Sequence, residues 1–174
     1  MVLRNKLFFH PILFWSFLHL FYLDKELDPK LVEYGEKAVK AFGMKERFFH
    51  IEFFKTEDDY IAIEYNNRPA GAFAIDVYNY AHSYDFFKLY AEVVKGTNGE
   101  LNLDSKYGLA STRRDYKDYL YSEDDIRNKY QDKLKAVLRM PEAFAELQGN
   151  TMFVLVADTL EEMNEMKEYV GKLR

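Results

Sequence analysis

No cysteine occurs anywhere in this chain, which excludes disulfides, thiolate metal sites and cysteine nucleophiles together. Basic residues are in deficit. The 24 Lys and Arg stand against 29 Asp and Glu, and the formal charge of −5 argues against a general nucleic-acid binder. The stretch Arg113 to Tyr121, RRDYKDYLY, interleaves basic and aromatic residues as single-strand binders do. Asp115 and Asp118 offset Arg113, Arg114 and Lys117 to leave +1, so it reads as an amphipathic surface strand or loop. No repeat of fixed period is present. The phosphate-loop order G-x-x-x-x-G-K-[ST] is missing too, and Lys95, Gly96, Thr97, Asn98 and Gly99 read as a turn. His10, His19 and His82 have no metal-ligand spacing. Long apolar runs are also lacking. Leu7 to Leu23 spans 17 residues, is interrupted by His10, Pro11, Ser16 and His19, and is short for a membrane span. Asp24, Lys25 and Glu26 come next, where a signal peptide needs a small-residue cleavage site.

The content of the chain points to a globular domain. At 174 residues one domain is expected, and 48% hydrophobic residues suffice for its core. Arg4 and Lys6 precede the apolar segment, and three readings stand for it: a signal-peptide core or short anchor, a buried strand or helix, or a piece foreign to the rest of the chain. Asp28 and Pro29 open a helix through Leu31, Tyr34, Ala38 and Phe42, closed by Gly43. After Gly71 a turn or short helix carries Asp76, Asn79 and Tyr80, the two polar residues being read as caps. Asp85 opens another helix, through Phe86, Leu89, Tyr90 and Val93, closed by Gly96. Leu101 to Leu120 reads as one or two exposed strands. Ser122 with Asp125 begins a polar helix expected to end near Leu138. Met152 to Ala157 is an apolar strand. Thr159 with Glu162 caps a last helix, expected to bury Leu160, Met163, either Met166 or the stem of Lys167, Val170 and Leu173.

The most informative stretch is Phe48 to Asp76, FFHIEFFKTEDDYIAIEYNNRPAGAFAID. Alternation with period two predicts a β-hairpin around the polar turn Thr56 to Asp59. His50 and Glu52 share one face of the first strand, with Phe49, Ile51 and Phe53 on the other. In the second strand Tyr60, Ala62, Glu64, Asn66 and Arg68 share a face, leaving Ile61, Ile63 and Tyr65 for the buried side. A turn symmetric about Asp58 sets Glu52 directly across from Glu64. Like charges so placed repel, and a hard divalent cation is the simplest group to sit between them. The alternative is a pair of solvated carboxylates on an open sheet face. His50 shares the site face and reads as a proton-transfer aid, a support for Glu52 or a structural histidine.

The order Glu52, eleven residues, then Glu64-x-Asn66-x-Arg68 resembles the C-terminal metal site of the ATP-grasp superfamily. The phrases RFFHIEFF and IEYNNRPAG are similar to its carboxylate–amine ligase group. The resemblance is specific from Leu27 to Lys95 and looser beyond. Relatives often read Arg-Pro-Pro-Gly-Gly where this chain has Arg68, Pro69, Ala70, Gly71 and Ala72, one glycine fewer. The resemblance implies that Glu52, Glu64 and Asn66 hold Mg²⁺ or Mn²⁺ bridging the phosphates of ATP. It also implies that Arg68 contacts phosphate or an acyl phosphate as the catalytic cation.

The expected fold class is therefore α+β, an antiparallel β-sheet covered by helices like the C-terminal lobe of an ATP-grasp domain. Residues 1–26 form the apolar N-terminal segment, 27–95 the lobe core and 96–174 an α/β tail on the same domain. Only 26 residues precede the matching part, too few for the lobe that carries the phosphate loop and adenine pocket. Half a site is expected to lose most of its rate. The expected function is that of a Mg-ATP-dependent carboxylate–amine ligase acting through an acyl phosphate, incomplete alone, on small carboxylate and amine substrates. The expected partner for such a half-site is a separate chain that supplies the missing lobe. The competing reading is a non-catalytic binding or scaffold module that retains the fold. Surface left bare by the missing lobe favours a homo-oligomer. The expected location is cytoplasmic, with the signal or anchor at 7–23 as the alternative, and no nucleic acid is expected as a partner.

Overall fold

The computed structural model describes residues 12–15, 20–23, 27–43, 47–71, 73–97 and 106–174. In chain order its elements begin with β1 (Ile12–Trp15), β2 (Leu20–Leu23), α1 (Pro29–Ala41), β3 (His50–Lys55), β4 (Tyr60–Asn66), α2 (Ala74–His82) and α3 (Phe86–Lys95). They continue with β5 (Tyr107–Arg113), α4 (Glu123–Lys129), β6 (Leu134–Arg139), α5 (Glu142–Gln148), β7 (Thr151–Ala157) and α6 (Leu160–Gly171). The class is α+β with antiparallel sheets, as expected. His10, Pro11, Ser16, His19, Ala72, Gly99 and the alternation from Leu101 to Asp104 lie outside the described residues. Among the described residues no helix is long and apolar enough to cross a membrane.

The chain divides into two compact units. The first holds α1, the β3–β4 hairpin and α3. Asp28 caps α1 by accepting from Lys30 N at 2.9 Å, and Pro29 occupies the first turn, where its missing N–H costs nothing. The same carboxylate accepts from the Tyr60 hydroxyl at 2.8 Å, and Lys30 Nζ reaches Asp58 O at 2.7 Å, so the start of the helix is tied to the hairpin turn. At the other end Phe42 stacks on Tyr65 with centroids 4.1 Å apart. Asp85 caps α3 through Lys88 N at 3.0 Å, and Gly96 ends it in the left-handed region at φ 71°. Phe48 packs on Phe86 and Tyr90 of that helix, at 4.7 and 5.5 Å.

The second unit holds a five-stranded antiparallel sheet in the order β1-β2-β5-β7-β6. Its core lies against α4 and α6, where Leu109, Ile126, Phe153, Leu155, Met166 and Val170 are all but inaccessible. β7 is buried from Met152 to Ala157, which explains its unbroken apolar run: a central strand has no solvent side to alternate with. The capping box expected at Ser122 is formed with Asp125 at the start of α4, and Thr159 caps α6 by accepting from Glu162 N at 3.2 Å, while the Glu162 carboxylate accepts from Asp158 N at 2.9 Å.

Three expectations are corrected by the structure, and one helix is added to them. The helix from Ser122 stops at Lys129 rather than near Leu138, and Leu134 to Arg139 pair with β7 as a strand, trading intrahelical bonds for ladder bonds that bury Leu134 and Val137 against the core. The strand read as exposed between 101 and 120 is β5, which lies between β2 and β7 and buries Leu109, Ala110, Ser111 and Arg113. Its small and polar residues look like surface in one dimension, but they suit a strand covered on both faces. Leu160 and Leu173 stay 45% and 49% exposed, because α6 is buried only through Met163, Met166 and Val170. Helix α5 had no counterpart in the reading of the sequence. It has no buried residue, and its Phe144 and Leu147 face solvent.

Candidate metal centre

The hairpin begins with its turn. Thr56 N donates to Asp59 O at 2.8 Å, the Thr56 hydroxyl donates to the same oxygen at 3.0 Å and accepts from Asp59 N at 3.0 Å, so one threonine closes the loop from both sides. From this turn the ladder runs Lys55↔Tyr60, Phe54↔Ile61 and Phe53↔Ala62, which centres it between Glu57 and Asp58, not on Asp58. Continued unchanged, that register would set Glu52 opposite Ile63. A bulge intervenes: Ile63 is left without a partner, and the pairs resume as Glu52↔Glu64, Ile51↔Tyr65 and His50↔Asn66. The two glutamates therefore do face each other, and one inserted residue puts them there.

The bulge also re-sorts the faces. Directly opposed residues share a face, so Glu64 and Asn66 join His50 and Glu52, whereas Tyr60 and Ala62 fall on the opposite face with Lys55 and Phe53. The Phe53 and Tyr60 rings meet edge to face at 6.5 Å, and Lys55 Nζ lies 5.9 Å from the Tyr60 ring. The expected membership of Tyr60 and Ala62 on the glutamate face is thus overturned. So is the expected burial of Ile61 and Ile63, which are 55% and 48% exposed. Tyr65 is half-buried beside Phe42 and Phe49, and burial raises its pKa.

On the shared face the polar atoms form a chain. His50 Nδ1 lies 3.1 Å from Arg68 O, and His50 Nε2 lies 2.9 Å from Asn66 Nδ2. A carbonyl can only accept, so Nδ1 carries the proton. The neutral ring then presents a lone pair at Nε2, and the Asn66 amide donates to it. Glu52 Oε1 is 3.8 Å from Nε2, too far for a hydrogen bond, so the histidine serves Asn66 and not Glu52. No lysine or arginine among the described residues forms an ion pair with Glu52 or Glu64. Arg68 lies just beyond β4, with its guanidinium exposed and donating to Pro69 O at 3.1 Å. Its loop partner Gly71 has room around it, the nearest contact of an added Cβ being Arg68 Nη1 at 3.7 Å.

Among the described residues no three His, Cys, Asp or Glu gather as a complete metal cage. Two opposed carboxylates with a carboxamide oxygen on the same face form a partial, all-oxygen set. That suits Mg²⁺, which favours one or two carboxylates and keeps water and phosphate as its other ligands. Asp76 and Asn79 lie within α2, where Asp76 sits in the first turn and Asn79 O accepts from Tyr84 N at 3.2 Å. His82 is buried on the same helix against the Tyr78 ring at 4.3 Å. Reading the sequence by strict alternation missed the bulge and the His50 to Asn66 bond. The turn by itself reveals neither, because its own register continued unchanged would set Glu52 opposite Ile63 and His50 opposite Tyr65.

The sequence matches no protein-family model, and no curated protein is similar to it. Its fold matches solved structures. Phosphoribosylglycinamide synthetase from Anaerococcus prevotii is similar at a TM-score of 0.61 with 13% identity, covering 89% of this chain and 44% of that one. L-amino acid ligase from Bacillus licheniformis is similar at a TM-score of 0.64 with 14% identity, covering 89% and 43%. Both are ATP-grasp enzymes, and this chain has the fold of part of them while spanning less than half their length.

Proposed function

We propose that the chain descends from Mg-ATP-dependent carboxylate–amine ligases and carries the C-terminal half of their nucleotide site. The register carries this reading: Glu52 stands opposite Glu64 with Asn66 on the same face, and no basic residue among those described neutralises the pair. In such a ligase a carboxylate oxygen of the substrate attacks the γ-phosphorus of ATP and ADP leaves. An amine then attacks the acyl phosphate, forming the C–N bond as phosphate departs and the nitrogen loses a proton. Bound Mg²⁺ supplies neutralisation of the phosphate oxygens.

The residues of this chain divide the remaining work. Glu52 and Glu64 offer anionic oxygens, and Asn66 a neutral one, as ligands for Mg²⁺ or Mn²⁺. Arg68 is an exposed cation that forms no ion pair with a carboxylate among the described residues, able to grip phosphate or the acyl phosphate with its planar fork. In this reading the glycine-rich phosphate loop and adenine pocket form the other half of the site, the substrates are a small carboxylate and a small amine, and the protein works in the cytoplasm as a homo-oligomer. Mg-ATP titrated calorimetrically into the protein tests it. Saturable binding is expected, abolished by EDTA and weakened about tenfold or more by Glu64→Ala. Absent binding, or binding indifferent to that change, would favour a scaffold module that has kept only the fold.

A further inference from the structure

We propose that His50 is a positioning residue that fixes which atom of Asn66 is offered to the cation, an inference that rests on the magnesium reading above. An asparagine amide presents oxygen or nitrogen to the same point by a half-turn, and the wrong choice puts a donor N–H where a cation needs a lone pair. The structure settles the choice by a relay of two hydrogen bonds. Arg68 O accepts from His50 Nδ1 at 3.1 Å, which leaves Nε2 as an acceptor, and Asn66 Nδ2 donates to it at 2.9 Å. The nitrogen of the amide is thereby occupied and Oδ1 remains open. His50 and Asn66 are direct cross-strand partners one pair along from Ile51↔Tyr65 and two from Glu52↔Glu64, so backbone pairing holds the relay on the glutamate face. The ring is mostly shielded, with 19% of the side chain exposed, so water competes poorly for Nε2. The relay also couples the site to Arg68, because the carbonyl that sets the tautomer belongs to the residue whose guanidinium would hold phosphate.

The test is Mn²⁺ binding followed by electron paramagnetic resonance of the free ion, on the full chain, for wild type, His50→Phe, His50→Gln, Asn66→Ala and the His50→Phe/Asn66→Ala double variant. His50→Phe is expected to weaken binding about tenfold, and His50→Gln, which restores an acceptor near Nε2, to stay within about threefold of wild type. The double variant should bind no more weakly than Asn66→Ala alone, because His50 acts only through Asn66. Additive losses, or a glutamine variant as weak as the phenylalanine one, would overturn the role. Long-range ¹H–¹⁵N spectra of the wild-type imidazole provide a readout independent of metal and of any folding defect in the variants. The Nδ1–H tautomer supports the relay, and the Nε2–H tautomer refutes it. Failure of wild type to bind Mn²⁺ would bring down the magnesium reading and this inference with it, whereas wild-type binding matched by His50→Phe would sink the His50 role alone.

Discussion

Replacing Glu64 by Gln should make the metal-free protein more stable and the magnesium-loaded protein relatively less so. Directly opposed residues in an antiparallel pair have Cβ atoms about 5 Å apart, and Glu52 and Glu64 are so opposed. Two unit charges at roughly 5 Å in a medium close to water repel by about 0.8 kcal/mol, near the upper end of measured cross-strand pair energies. Glu64→Gln removes that repulsion at nearly constant volume. With a urea slope of about 2 kcal/mol/M, the unfolding midpoint in EDTA at low ionic strength should rise by about 0.3–0.4 M. Salt at about 1 M, where the Debye length is about 3 Å, should erase most of the difference. Magnesium at tenfold over its dissociation constant stabilises the wild type by about 1.4 kcal/mol and does little for the variant, so the order of stability inverts. Urea unfolding followed by far-ultraviolet circular dichroism, with EDTA or Mg²⁺ and at two salt concentrations, reads all of this. A variant less stable than wild type in EDTA, or one stabilised equally by magnesium, would refute the reasoning.

Three further perturbations probe what holds each unit together internally. Arg113 is buried at the end of β5, donating to Val170 O at 2.7 Å and Tyr121 O at 2.6 Å, and burial lowers its pKa. Arg113→Met should cost about 2 kcal/mol in urea unfolding, the loss of two charged hydrogen bonds partly offset by relief of a buried charge, and a cost near zero would contradict that account. Gly149 has φ 87° and ψ 172°, and an added Cβ would meet Thr112 Oγ1 at 2.8 Å, so Gly149→Ala should cost about 2 kcal/mol or more and lower the melting temperature. The Tyr60 hydroxyl is pushed up to about 12, first by burial and then by its bond to Asp28. Because the folded state holds this proton more tightly than the unfolded one, its contribution is complete below pH about 10 and is lost as pH rises towards about 12. Tyr60→Phe should therefore show a shallower stability decline over that interval, and an unchanged decline would assign the loss elsewhere.

The local signals that proved legible are those in which one residue does one job. Asp28, Asp85 and Thr159 cap the helices the sequence assigns to them, and Gly96 closes α3, because a side-chain cap or a left-handed glycine depends on neighbours a few residues away. The facing of Glu52 and Glu64 was legible for a different reason. An off-centre turn and a bulge at Ile63 each shift the register by one step, and the two shifts cancel at Glu64 while leaving Tyr60 and Ala62 on the other face. Burial was harder to read. Ser111 and Arg113 look like surface residues until β2 and β7 flank β5, and Leu134 to Arg139 continue a helical pattern until β7 offers them ladder bonds. Such long-range pairings override local preference, and no window of the sequence contains them.

The central claim is that the β3–β4 hairpin holds a divalent cation through Glu52, Glu64 and Asn66. Crystals of the protein soaked with Mn²⁺ and ATP, with anomalous difference density collected for manganese, test it most directly. The account predicts a peak about 2.0–2.4 Å from carboxylate oxygens of Glu52 and Glu64 and from Asn66 Oδ1. A manganese peak coordinated elsewhere, or no peak beside the opposed glutamates, would contradict it.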